Sequence, residues 1–306
     1  MGASGSHEIV DDYVYVTESG ARDCKYGCIP SSSGDSGSRF SFNTHTIQRC
    51  NRQVVDLRKF MPKIHNHESK QSCVLSCITS AVEFNHIKSM NMNIIPQLPR
   101  RRKKEQMVQN ALRRAFNKMK VKSVNKVYQP IIYKPKSRSF LFWNMQNNAH
   151  PCTIHDGLKS LYEYGICDNI EYDDIFIPPS AYSYEKARGK QYDFKRLICD
   201  IDQIQCALHY GIPVLTGLSI FDTFDSEKVI TTGLVEEPGD KEKISNYHCF
   251  LIVGFDNKKK HFICMNCWGE EWGDRGYCYI PYTYMKCYSD DLWVVYDYIS
   301  VNSLLL

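Results

Sequence analysis

The spacing of apolar side chains divides the chain into a helical part followed by a strand-rich part. Cys73, Cys77, Ala81 and Phe84 recur at intervals of three and four within SKQSCVLSCITSAVEF, which predicts a buried helix beginning near Ser72. Met107, Val108, Ala111, Leu112, Ala115, Phe116 and Met119 define one face of a second helix starting near Glu105, with Arg113, Arg114, Lys118 and Lys120 largely off that face. TIHDGLKSLYEY (153–164) reads as an amphipathic helix stopped by Gly165, and residues 193–211 as a helix ending at Gly211. The character then changes. PVLTGLSI, HCFLIVGF, KHFICMN and GYCYIPY are short β-branched or aromatic runs bounded by turn residues, and they predict strands. Helices first and strands second imply an α+β fold. Ahead of the first helix, VVDLRKFMPKI (54–64) reads as extended and proline-punctuated. Residues 1–54 read as an N-terminal extension, whose Gly/Ser-rich stretch 31–38 buries too little apolar surface to order itself.

Composition adds boundaries to this picture. With 306 residues, 43% hydrophobic and 24% charged, the chain is an ordinary globular protein large enough for one catalytic unit. It has no run of eighteen apolar residues and no secretory pattern at its start. Its fourteen cysteines therefore read as reduced thiols, and the expected location is intracellular or virion-associated. The net charge of +4 conceals an asymmetry: residues 97–138 carry fourteen Lys/Arg and one acid, a local charge of +13, leaving the rest of the chain acidic.

The candidate chemistry lies in three places. NYHCFLIVGF (246–255) puts His248 in a strand, and NCWGEEWGDRGY (266–277) follows the next strand with Asn266, then Trp268 and Gly269. Upstream, Cys73 begins a helix. A helix amino terminus carries about half a unit of positive charge, which favours a thiolate. A nearby histidine favours it further and supplies a general base, and an Asn side chain can fix that ring's tautomer and orientation. An indole beside that hydrogen bond keeps water away from it.

These residues resemble the papain family of cysteine proteases across most of residues 54–306. The resemblance is closest to a branch known from bacteria, archaea and large DNA viruses. Its pattern is matched by Asp56-Leu57-Arg58, Met61-Pro62, Asn66-His67, Ser72-Cys73, Glu83-Phe84 and the helix 153–164. It implies a two-lobe fold, with a helical lobe led by the nucleophile helix and a β-barrel-like lobe carrying His and Asn. It also implies peptide-bond hydrolysis with Cys73, His248 and Asn266 as catalytic residues, Trp268 as shield, a polypeptide substrate, and neither metal nor cofactor. Cys77 competes as nucleophile, because Gln71 stands six residues before it, the family's spacing for an oxyanion donor. Cys73 is preferred. It lies seventeen residues after Asp56 and ten before Glu83, as in the family, and it sits at the helix's positive end. The donor position before Cys73 is then His67, whose ring N–H can replace a glutamine amide. A catalytically inactive binding protein on the same scaffold is the alternative reading.

Other signals are weaker. Cys264 and Cys267 form a CxxC, read as packing thiols. Cys24 and Cys28 would be redox-active or would cap the nucleophile; the simpler reading puts them exposed in a loose arm. The extension 1–54 would act as a propeptide-like, autoinhibitory segment, and the peptidase domain spans 55–306 with a basic insertion at about 88–137. There Arg100, Arg101, Arg102, Lys103 and Lys104, followed by Arg113 and Arg114, suit an anionic membrane or a nucleic acid as well as a solvated loop. Gly2 fits the myristoylation pattern, a second membrane signal.

Overall fold

The computed structural model describes residues 14–17, 20–23, 28–32, 39–66, 73–94, 133–145, 152–174, 176–189 and 192–297. The chain divides into two compact units, Met1–Asn85 with Lys134–Leu306, and His86–Tyr133. The helix expected from Glu105 lies outside the described residues.

In the larger unit, strands β1 (Val14–Thr17) and β2 (Gly20–Asp23) form a hairpin of their own. The main sheet is built from β3 (Arg39–Phe40), β4 (Val54–Asp56), β5 (Tyr192–Leu197), β6 (Val214–Phe221), β7 (Ile244–Asp256), β8 (His261–Met265), β9 (Tyr277–Pro281) and β10 (Ser289–Asp297). Its order is β3-β5-β10-β6-β7-β8-β9, and β4 extends the β6 side of β7. All pairings are antiparallel except β3 with β5. The four predicted strand runs appear as β6 to β9. Residues 248–255 of β7 are all buried, as suits a strand covered on both faces.

The helices are α1 (Thr44–Arg49), α2 (Cys73–Ile94), α3 (Arg138–Met145), α4 (Ile154–Tyr164), α5 (Ala181–Ala187), α6 (Ile201–His209), α7 (Glu227–Thr232) and α8 (Tyr282–Tyr288). Cys73, Cys77, Ala81 and Phe84 are buried on α2 as their spacing predicts, and the helix runs ten residues past Phe84. In α4 a capping box of Thr153 and Asp156 satisfies the first-turn N–H groups. Gly165 ends the helix with φ 74°, where a Cβ would collide with the Ala187 carbonyl.

Two expectations are corrected here. Residues 193–211 are not one helix: 192–197 form β5, paired along β10, and α6 begins only at Ile201. Phe194, Leu197, Ile201 and Ile204 mimic a helical period across the boundary. The break is Asp200, whose side chain accepts from the N–H groups of Asp202 and Gln203 as an N-cap. The extension is not uniformly loose either. Phe40 and Phe42 pack edge to face at 4.9 Å, and Phe42 stacks on Tyr210. The Gln203 side chain bonds both Phe42 backbone groups, accepting from its N–H at 2.6 Å and donating to its carbonyl at 3.0 Å.

The end of the basic segment is also engaged in the fold. Lys136 pairs with Asp168 at 2.5 Å, its backbone N–H donates to buried Glu83 at 2.6 Å, and Arg138 donates to Ser76. No helix among the described residues is long and apolar enough to cross a membrane.

Candidate active site

The site forms where the first turn of α2 meets β7. Cys73 and His248 are fully buried and Asn266 is nearly so. His248 stands on β7 opposite Leu218 of β6, and Asn266 follows the end of β8. His248 Nε2 lies 2.9 Å from Asn266 Oδ1, which also accepts from the Cys267 N–H at 2.8 Å. Trp268 covers the ring at 4.8 Å between centroids, and Phe250 meets it edge-on at 4.6 Å.

Burial alone would raise the Cys73 thiol. Hydrogen bonds from Cys28, from His248 and from the Cys249 backbone, with the positive charge of His248, outweigh it and hold Cys73 well below the ordinary thiol range. Cys77, one turn deeper, instead donates its thiol to the Cys249 carbonyl at 3.4 Å. The structure thus brings together Cys73, His248, Asn266 and Trp268, and places Cys77 in the core.

The segment matched as DLR and the Trp-Gly block support each other. Arg58 forks onto Asp56 at 2.7 Å and reaches Asp274 at 3.3 Å and the Tyr279 hydroxyl at 3.2 Å, tying β4 to the loop after Asn266. Gly269 donates its N–H to the His65 carbonyl at 3.1 Å, with φ 84°. A Cβ there would press on the Asn66 side chain, so glycine fits both the backbone and the close approach.

His67, Gln71, Gly2, Arg100, Arg101, Arg102, Lys103, Lys104, Arg113 and Arg114 lie outside the described residues, as does Cys24. Cys28 is a correction: it is fully buried and hydrogen-bonded to Cys73 rather than exposed in a loose arm. Residues 28–32 lie along the site. Cys28 bridges Cys152 in parallel, and Ile29 donates to the Cys152 carbonyl at 3.4 Å. Ser31 bonds Asp291 through its N–H at 3.0 Å and its hydroxyl at 2.7 Å. Arg196 donates to the Ser32 carbonyl at 3.1 Å. Asp291 is itself fully buried and accepts from the Trp293 indole. Neither Ser31 nor Asp291 carries a sequence signal for this role, because their contact spans 260 residues. His155 stacks on Trp293, and His261 lies against Tyr279.

Comparison with known proteins agrees with this geometry. The papain family cysteine protease model matches residues 158–294, a stretch that holds His248 and Asn266 but not Cys73. An uncharacterized peptidase C1-like protein of Acanthamoeba polyphaga mimivirus is 31% identical over 182 residues, covering 53% of this chain and 58% of the relative. Peptidase 1 of Euroglyphus maynei is 26% identical over 147 residues, covering 44% of this chain and 42% of the relative. The chain thus matches about half the length of these curated relatives. Among solved structures, xylellain, a cysteine protease from Xylella fastidiosa, superimposes with a TM-score of 0.68 at 22% identity, covering 90% of this chain and 96% of that one. A procathepsin L2 proteinase from Tenebrio molitor larval midgut gives 0.57 at 16% identity, covering 90% and 78%. Fold and sequence matches agree: the chain has an α+β, papain-like two-lobe fold and is similar to papain-family cysteine proteases.

Proposed function

We propose that the protein hydrolyses peptide bonds through an acyl-thioester on Cys73. The observation that carries this reading is the buried Cys73 thiol at the start of α2, held low beside His248, whose ring lies 2.9 Å from the Asn266 side chain. The thiolate attacks the scissile carbonyl carbon, and the Cys73 N–H with the His67 ring receives the oxyanion. His248 protonates the leaving amine and then takes a proton from the water that hydrolyses the thioester. Asn266 keeps the ring in the productive orientation, and Trp268 keeps that hydrogen bond dry.

Cys28 of the extension acts directly on Cys73, and on this reading the full chain is a latent form and the extension a propeptide-like cover. A form trimmed within residues 33–38 should react with an epoxide-type thiol-protease inhibitor at Cys73. The adduct should be lost in Cys73→Ala and retained in Cys77→Ala. Absence of any adduct from both the intact and the trimmed chain would overturn the reading.

A further inference from the structure

Two thiols meet at the candidate nucleophile, and the sulfur–sulfur contact is held by groups that are not sulfur. Cys28 is bonded to Cys73, and neither is disulfide-bonded in this structure. The segment that delivers Cys28 is fixed by the Cys152 bridge, by the two hydrogen bonds from Ser31 to buried Asp291, and by Arg196 on the Ser32 carbonyl. Cys152 lies close enough for the charge of Cys73 to push its thiol up, and its own thiol donates to the Thr153 carbonyl at 3.4 Å.

We propose that Cys28 is the resolving cysteine for Cys73, and that a hydroperoxide converts the pair into a reversible disulfide locking residues 28–32 over the site. The proposal rests on the protease reading for its consequence, since the locked sulfur is the nucleophile of that reading.

The chemistry divides unequally between the two sulfurs. Cys73 is held low, while burial first, then its hydrogen bond to Cys73 and that residue's charge, push Cys28 well above the ordinary range. A peroxide therefore selects Cys73 when the segment lifts and admits it. The Cys73 thiolate attacks the terminal peroxide oxygen, the O–O bond breaks, and the alkoxide, or hydroxide from hydrogen peroxide, leaves as the alcohol or water after protonation, giving the sulfenic acid. When the segment returns, the Cys28 sulfur attacks the sulfenic sulfur. The S–O bond breaks, and the Cys28 proton leaves with the departing hydroxide as water. Two thiols are oxidised and one hydroperoxide is reduced. The disulfide shields Cys73 from the irreversible sulfinic and sulfonic acids, and a thiol reductant restores both groups.

A second thiol pair provides an internal control. Cys50 and Cys206 lie 2.8 Å apart, sulfur to sulfur, and a disulfide there would tie the extension to α6 without touching Cys73. The reduced full chain is treated with hydrogen peroxide, its remaining thiols are alkylated, and it is digested without reductant for mass spectrometry. The expected product is a cross-linked peptide pair joining Cys28 to Cys73. It should persist in Cys50→Ser and disappear with dithiothreitol. In Cys28→Ser held in peroxide, Cys73 should end as sulfinic or sulfonic acid that dithiothreitol does not recover. The proposal is overturned if the oxidised wild-type chain contains no Cys28–Cys73 pair, or if Cys73 is recovered equally in Cys28→Ser. The mapping reads sulfur connectivity rather than turnover. A chain that forms the bond yet never cleaves peptide overturns the protease reading and supports this one, and a chain that cleaves without forming it does the reverse.

Discussion

Two stretches converge on Cys73, and they are held there in different ways. The block from β7 through β9 is a set of antiparallel ladders, with Asn266 and Trp268 fixed by a loop that Arg58 clamps from β4. Residues 28–32 lie on the same site through a few side-chain bonds and one isolated bridge. Ladder hydrogen bonds within a core open only with global unfolding, whereas a short segment held by a few contacts opens locally at lower cost. On the proposed reading the block is permanent machinery, and the segment is a removable cover. The difference implies that substitutions in the block end activity, while substitutions in the cover release it.

The comparison is sharpest at the block. Cys73→Ala should lower peptidase activity of the trimmed chain by ~10⁴-fold or more, because residues of a catalytic set fail together. Cys77→Ala should keep turnover and lose only stability, read as a lower melting temperature. If Cys77→Ala is the dead variant instead, the assignment of roles on α2 is wrong. Asn266→Ala should cost on the order of 10²-fold in kcat with little change in KM, since it orients the base without binding substrate. A KM effect alone would count against that role.

The cover is tested by activation. Ser31→Ala removes the hydroxyl from Asp291 and leaves the block untouched. A hydrogen bond to a charged group is worth about 1.5–3 kcal/mol, so the uncovered fraction should rise ~10-fold or more, with activity of the full chain rising in proportion. Initial rates of the full chain, compared with those of the trimmed chain, measure this directly. Unchanged rates in Ser31→Ala would show that the Ser31–Asp291 contact does not hold the cover closed.

What the sequence discloses follows the same division. His248, Asn266 and Trp268 are legible because the site needs those residue types at short, gapless spacing, and Gly269 because close approach to Asn66 leaves no room for a side chain. The α2 periodicity is legible for the usual reason, burial on one face. Cys28, Ser31 and Asp291 are silent, because each is an ordinary residue until the fold brings together positions 260 residues apart. The β5–α6 boundary misleads for a third reason. Pairing with β10 decides that 192–197 is a strand, and local spacing carries no record of that partner.

The smallest expected effect concerns the clamp, and pH distinguishes it from simple packing. Partial burial works to raise the Asp56 carboxyl, but hydrogen bonds and charge from Arg58 outweigh it and hold it below its usual 3.8. Asp274 is held low first by the Tyr279 hydroxyl and then, against burial, by Arg275 and Arg58. Depressed carboxyls contribute stability that is fully present above the unfolded value and lost as pH falls through the lower folded one. The three side chains are 29%, 39% and 34% exposed for Arg58, Asp56 and Asp274, so solvent screens the clamp and its worth is ~1 kcal/mol. Arg58→Ala should therefore unfold at lower urea concentration than wild type at pH 7, with an unchanged slope. The gap between the two should close as the pH drops below 3.8, where both carboxyls become protonated. A gap that stays constant into acid would mean that Arg58 acts there through its guanidinium over the Tyr277 ring, 5.6 Å from the centroid, rather than through the carboxylates.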